Sequence, residues 1–569
     1  MSADKRKRRR IRIYILASVI LLISLLIAGY HFATHVTPPG ISDMRSVRES
    51  VSEPSPGLSV IRNNWLRENQ YGLWEMYIEG KPFERGVYAG KLTRSLMKIQ
   101  EKAFMDQIWQ MIPSGSYRHF LKYFIYWFNR NLDRNIPEEY KEEIYGISLS
   151  APDSYSFIGE GYQRILNYHS AHDIGHALQE MQLVGCTSFG VWGKKSSDSS
   201  LIIGRNFDFY VGDAFAENKI VCFERPDKGH AFMMVTWGGM IGAVSGMNDQ
   251  GLTVTINAAK SSIPWSARTP VSLLAREILQ YASNIREAYA IAANRQTFVS
   301  ESFLIGSAAD RKAVVIEKSP FKTALRSPEK EYIVCTNHFQ SAEFLKDPGN
   351  KKDMQESPSV YRYKKVIQDI TDRSPMDVAG IADILRDRSG LNGKDLGMGN
   401  EKAINQLIAH HSIIFEPEKL RVWVSTNPWQ LGKYVCYDLN KIFHSFAGIR
   451  ENREIAEPGL FIPPDDFLKT SEYRDFIEFR NDRKQVQQSF HDGKINSDTR
   501  SRINQMIKDN PASYEPYELA GDYYRKIRPD SARYFYQIAL GKEIPRKKEK
   551  DRIIKNLAGC IINLKKPNK

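Results

Sequence analysis

The spacing of hydrophobic positions changes character along the chain. Residues 13–29 form an almost unbroken apolar run, extended by Tyr30, His31 and Phe32. At about 17–20 residues, such a run is long enough to cross a bilayer as a helix. Residues 37–58 lose that pattern and fill with proline, serine, glycine and charge, which predicts a linker. Residues 74–80 read as a strand closing in a turn, and a helix is under way by Gly86 and Gly90. Glycines four apart share one helix face and admit a close neighbour. Residues 92–130 keep a helical period and are dense in aromatics (Phe104, Trp109, Phe120, Tyr123, Phe124, Trp127), a face expected to be core, with the lining of an apolar pocket as the alternative. Further helices are predicted from about 136 and over about 158–182.

From Cys186 the period drops to two. Strands are predicted over 186–193, 201–209, 219–225, 230–237, 241–246, 251–257, 302–307, 312–317, 322–326 and 331–336, then 411–415, 419–425 and 433–438. Helices interrupt at 270–295, 359–372 and 376–387. Strands in blocks with helices between them predict an α+β protein with helices packed on sheets, not a doubly wound repeat. Beyond Pro463-Pro464 the chain turns helical again. Residues 513–541 read as one tetratricopeptide-like helix pair, more suited to packing on the body than to standing alone.

Charge sharpens this outline. The formal net charge is +14, much of it in Lys5–Arg12 and around Arg546–Lys548. A cationic block ahead of an apolar run stays cytoplasmic, so the rest of the chain is expected outside the cytoplasm. Ala28-Gly29-Tyr30 is a poor cleavage site, which favours a retained signal anchor over a cleaved signal peptide. No basic stripe, zinc-finger spacing or ribonucleoprotein motif suggests nucleic acid. Five cysteines (186, 222, 335, 436, 560) form no CxxC pair and imply no disulfide framework. His172 and His176 have i, i+4 ligand spacing, but without HExxH they read as structural beside His169, and no metal or cofactor is called.

The candidate chemistry lies at strand ends: Gly185-Cys186, Gly204-Arg205-Asn206-Phe207-Asp208, Gly251-Leu252-Thr253 leading to Asn257, Thr336-Asn337, the helix start at Arg362, and His411 to Phe415. Singly each has a structural explanation. Together, in this order, they resemble the cysteine N-terminal-nucleophile hydrolases, over roughly residues 70–445. Within these they look most like the self-cleaving acyltransferases related to the penicillin-forming fungal enzyme, in the group that includes acid ceramidase and choloylglycine hydrolase. Gly80, Glu84-Arg85-Gly86 and Gly90 resemble that group's pro-segment.

The resemblance implies a four-layer αββα sandwich and a self-cleavage at Gly185–Cys186 that exposes Cys186 as a new N-terminus. A free α-amine, with a reference pKa near 8, could then take the thiol proton. By the same resemblance Asp208 would hold the α-amino group, Arg205 would bias the thiol toward thiolate, Asn257 with a backbone N–H would form the oxyanion hole, and Asn337 would orient substrate or nucleophile. Arg362 would bind substrate, with a surface arginine as its alternative. His230, His338, His410 and His411 are not needed by this chemistry and are expected to be structural.

The organisation expected is a basic cytoplasmic segment (1–12), a transmembrane anchor (13–32), a linker (33–58), a helical pro-segment (59–185), a catalytic domain (186–450) and a helical tail (451–569). The two fragments would stay associated. The expected substrate is a small-molecule acyl amide or an acyl-CoA-like thioester, and the helical tail offers a surface for a protein partner. The alternatives are a peptide-cutting enzyme and a silent scaffold that binds through its tail.

Overall fold

The computed structural model describes the chain except residues 1–2, 113, 171–172, 174–184, 262–266, 329 and 565–569. His172 and His176 lie outside the described residues.

Two sheets lie face to face. The larger runs Ser52–Ser55, Leu58–Ile61, Asn64–Glu68, Trp74–Gly80, Ile220–Pro226, Phe232–Thr236, Ser245–Asn248, Leu252–Ala258, Glu301–Ser307, Lys312–Lys318 and Thr323–Arg326. The smaller runs Tyr332–Cys335, Thr187–Gly193, Ser199–Phe207, His411–Glu416, Arg421–Ser425 and Tyr434–Asp438. Neighbours pair antiparallel, except Trp74–Gly80, which lies parallel to Ile220–Pro226.

Alternation along the strands builds the layers. Leu201 and Ile203 join Val221, Phe223, Ile413 and Phe415 in a core between the sheets. Ile202 and Ile414 turn the other way and pack on the helices Ser359–Arg373 and Val378–Leu385 through Val366, Ile370, Ile381 and Leu385. On the far side, Ile220, Cys222, Val254 and Ile256 pack on the helices Pro82–Leu92, Glu138–Ser148 and Val271–Tyr281. The result is the four-layer αββα sandwich expected.

The segment ahead of Cys186 is woven into this body. It supplies the four edge-ward strands of the large sheet, so it is not purely helical, and the stretch read as a linker already contributes Ser52–Ser55. Helices Pro82–Leu92 and Glu138–Ser148 touch backbone to backbone. A β-carbon at Gly86 would lie 2.0 Å from the Glu143 carbonyl oxygen, and one at Gly146 would lie 2.5 Å from that of Phe83. Beneath this contact Arg85 and Arg276 share Glu143 and Glu224 in a fully buried ion network, with Arg85 Nη2 2.8 Å from Glu143 Oε2 and Nε 3.0 Å from Glu224 Oε1. Removing one member would leave an uncompensated buried charge, so the network fixes this docking.

The aromatic helices depart from expectation. Arg94–Met111 and Gly115–Phe128 form, but Tyr117, Phe120, Tyr123, Phe124 and Trp127 point outward, with Phe120 61% exposed. At the other end, the helices Ser471–His491, Ser497–Asp509, Glu515–Tyr524, Pro529–Leu540 and Lys547–Leu564 stack in sequence. Phe476, Phe479 and Met506 of the first two of these helices pack against Leu407, Trp429 and Leu431 of the body.

Candidate active site

Cys186 sits immediately before the strand Thr187–Gly193, wholly buried between the sheets. Ser188 faces Arg205 across the ladder, and alternation puts Cys186 on the same face as Ser188. Arg205 Nη2 reaches 3.7 Å from Cys186 Sγ. The same guanidinium donates to the Val244 carbonyl at 2.9 Å, the Ser245 hydroxyl and the Ile256 carbonyl, so it is pinned across both sheets.

Arg205 acts on the thiol in the direction expected, against a larger effect of burial. Burial pushes the Cys186 thiol up to about 12; Arg205 pulls it down, while the Asp208 and Glu301 carboxylates push it up further. In the uncut chain the thiol is therefore protonated near neutral pH, and Arg205 alone does not make it a thiolate. Asp208 follows the strand Ser199–Phe207 and is also fully buried; burial pushes its carboxyl up to about 7, against Arg362 and Arg205. Its Oδ1 has no hydrogen-bond partner among the described residues.

Both asparagines are held in one orientation. Ser188 donates its hydroxyl to Asn257 Oδ1, and Asn257 Nδ2 donates to the Cys335 carbonyl at 3.2 Å. An amide nitrogen carries two hydrogens, so one remains to serve an oxyanion. Asn337 donates to the Ala258 carbonyl at 3.0 Å and accepts from Arg362 Nη2. Arg362 is 1% exposed and also donates to the Glu401 carbonyl at 2.8 Å. It is an interior group joined to Asn337, not a surface arginine.

One residue was missed by reading the sequence. Gln406 Nε2 donates to the Gly185 carbonyl at 2.7 Å and to Asp208 Oδ2 at 3.2 Å, while the Gly185 N–H donates to the Asp208 carbonyl at 3.0 Å. Gly185 is thus held at both its N–H and its carbonyl, the latter being the carbonyl of the peptide bond ahead of Cys186. A β-carbon at Gly185 would stand 2.8 Å from the Gln406 amide. Gly185 does not have a positive φ, so close approach and not backbone freedom explains the glycine. Gln406 lies in an irregular loop with no motif around it. The only sequence signal was a polar Asn405-Gln406 pair between Ile404 and Leu407.

Five described histidines are held by hydrogen bonds to neighbouring groups. His169 Nδ1 bonds the Ile165 carbonyl at 2.8 Å and its Nε2 accepts from the Ile241 N–H at 3.0 Å, which fixes a neutral tautomer. His411 bonds Ser245 at 2.8 Å and His410 at 2.9 Å, and burial holds both rings well below the usual imidazole range. His411 therefore braces the serine that holds Arg205. His230 and His338 bond Ser283 at 3.0 Å and Ser359 at 2.7 Å.

An apolar cleft of about 60 Å³ opens among Phe209, the residue that follows Asp208 in the chain, Phe215, Trp237, Met97, Phe104 and Tyr168. Phe104 and Tyr168 also line a second apolar cavity of about 480 Å³.

A four-layer sandwich thus brings a cysteine heading a small-sheet strand together with an arginine, an aspartate and oriented asparagines. Residues 193–427 match the family described as acyl-coenzyme A:6-aminopenicillanic acid acyl-transferase, and the resemblance read from the sequence is borne out at that level. The matched stretch contains Arg205, Asp208, Asn257, Asn337 and Arg362 and starts just after Cys186. An uncharacterized protein of Archaeoglobus fulgidus is 26% identical over 299 residues, covering 50% of this chain; the chain spans about half (49%) of that protein's length. Among solved structures, the Caenorhabditis elegans N-acylethanolamine-hydrolyzing acid amidase ortholog is 17% identical, with a TM-score of 0.31 over 41% of this chain and 93% of that one. Conjugated bile acid hydrolase from Clostridium perfringens is 13% identical, with a TM-score of 0.30 over 45% of this chain and 93% of that one.

Proposed function

We propose that this chain is a membrane-anchored, self-processing cysteine amidohydrolase or acyltransferase. The observation that carries the reading is the grip on the Gly185–Cys186 peptide: a thiol beside its own preceding carbonyl, a donor on that carbonyl's oxygen, and a carboxyl poised near neutrality.

In self-cleavage, Sγ of Cys186 attacks the Gly185 carbonyl carbon and gives its proton to the ionised fraction of Asp208. Gln406 donates to the oxygen as it becomes an oxyanion. The C–N bond then breaks, the amide nitrogen takes the proton from Asp208, and a Gly185 thioester remains. Water hydrolyses that thioester, leaving a carboxylate on Gly185 and a free α-amine and thiol on Cys186. A cut there leaves strands 58–80 inside the large sheet and the Arg85 network intact, which supports fragments that stay associated.

In turnover, the α-amine takes the thiol proton and Asp208 Oδ1 receives the amine's hydrogen bond. The thiolate attacks the carbonyl of an N-acyl amide or acyl thioester, with the remaining Asn257 N–H on the oxyanion. Arg362 holds Asn337 at the substrate's polar end. The apolar cleft beside Phe209 suits the acyl group. Water or an amine then takes the acyl group from Cys186.

The apolar helix at residues 10–34 is long enough to span a bilayer. With Lys5–Arg12 ahead of it, the N-terminus is cytoplasmic and the site lies outside the cytoplasm. The tail helices Glu515–Tyr524 and Pro529–Leu540, crossing where Gly521 meets Tyr536, act as a tetratricopeptide-like brace on the body.

Acid-quenched intact mass during turnover of an N-acyl amide tests the reading. An acyl adduct on the fragment beginning at Cys186 is expected. Turnover with an unmodified Cys186 would overturn it.

A further inference from the structure

The helix Gly115–Phe128 is poorly covered by protein. Tyr117, Phe120, Phe124 and Trp127 recur every three or four residues and face outward, with Phe120 61% and Tyr117 50% exposed. Its inner side, through Leu121 and Ile125, roofs the apolar cavity of about 480 Å³ and does not fill it. A lone exposed aromatic needs no explanation, but a row of them on one helix marks an interaction face.

The neighbour identifies the occupant. Tyr30, near the end of the apolar N-terminal helix, stacks on Trp127 with ring centroids 6.2 Å apart, meets the Tyr123 ring edge-on at 5.9 Å, and donates to the Tyr123 carbonyl at 2.9 Å. Tyr30 lies at the far end of the span from the basic block, where the helix leaves the bilayer and where Tyr and Trp concentrate. The aromatic helix is therefore fixed at the level of the lipid headgroups. Arg118, Lys122 and Arg130 accompany it, with Arg130 4.6 Å from the Trp127 ring centroid. A helix with an apolar aromatic face bordered by basic side chains is the form that lies in a bilayer interface.

We infer that the helix Gly115–Phe128 is a second membrane contact, lying in the interfacial layer of the bilayer crossed by the N-terminal helix and seating the enzyme body on the lipid. The inference rests on the N-terminal helix being retained as an anchor. Its partner is the phospholipid surface itself. Two contacts fix the orientation of the body, where one helix alone would leave it free to swing.

The test uses the full chain carrying Cys186→Ala, which keeps it whole; the four remaining cysteines are buried, so an introduced cysteine is labelled selectively. An environment-sensitive fluorophore is placed singly at Phe120→Cys, Phe124→Cys, Ser18→Cys (mid-span) and Phe321→Cys, which is 70% exposed elsewhere. The protein is reconstituted in phosphatidylcholine–phosphatidylglycerol vesicles containing spin-labelled lipid. Quenching at 120 and 124 roughly threefold above that at 321, with blue-shifted emission, is the expected result. Quenching at 18 with water-like emission at 120 and 124 would overturn the second contact while leaving the anchor standing. No quenching at 18 would remove the anchor and the inference with it. Shielded labels at 120 and 124 that lipid does not quench, with crosslinks between chains, would assign the face to a second copy.

Discussion

Gln406 Nε2 lies 2.7 Å from the carbonyl oxygen of Gly185, the residue whose peptide bond must break to free Cys186. Donors placed at a developing oxyanion are worth about 10²–10³ in rate. Gln406→Ala is expected to slow self-cleavage by roughly that factor. Once Gln406→Ala protein has matured, its acyl-amide turnover should fall far less than the cleavage rate, because Gly185 no longer presents that carbonyl and only the bond to Asp208 Oδ2 is lost. Time-resolved mass measurement checks the first claim and kcat the second. Equal cleavage rates would remove Gln406 from the mechanism.

Gly185→Ala tests the same contact from the other side. The added methyl would stand 2.8 Å from the Gln406 amide and must displace it. Slower cleavage with an unchanged melting temperature is expected. Normal cleavage would show that the contact is incidental.

Asp208 sets the pH dependence. Its carboxyl is pushed up to about 7 by burial, so the ionised base gains population as pH rises through about 7 and is lost below it. The self-cleavage rate should therefore climb from pH 5.5 to about 8 and then level. Asp208→Asn should be slow and lack that limb. A rate that fell with rising pH would contradict the assignment.

Asn257→Ala removes the donor left over after the Cys335 bond. Acyl-amide hydrolysis should drop about 10²–10³-fold in kcat with little change in KM, since the oxyanion exists only in the transition state. Full activity would sink the assignment.

Gly86→Ala concerns stability. A β-carbon 2.0 Å from the Glu143 carbonyl must push the helices Pro82–Leu92 and Glu138–Ser148 apart, at a cost of roughly 1–3 kcal/mol. A melting temperature equal to wild type would show that the contact is loose.

Much of this was legible in the sequence because period-two alternation survives on both sheets. Leu201, Ile202 and Ile203 are all apolar, yet each pair of neighbours serves a different core, and that pattern predicts a strand buried on both faces. The glycines at 86 and 90 carried their packing reason openly. Arg362 did not: on a helix start it looks like surface, and its burial depends on Asn337 arriving from another strand. Gln406 was invisible because its partner, the Gly185 carbonyl, is more than two hundred positions away and is backbone. The aromatics of Gly115–Phe128 have the composition of a core face. Periodicity cannot say whether protein or lipid covers such a face.

The most direct measurement is the intact mass of purified full-length protein beside Cys186→Ala. The account predicts two fragments in the wild type, the larger beginning at Cys186, and a single uncut chain in the variant. A single uncut wild-type chain that nevertheless turns over acyl amides would contradict the claim that Cys186 acts as a freed N-terminal nucleophile.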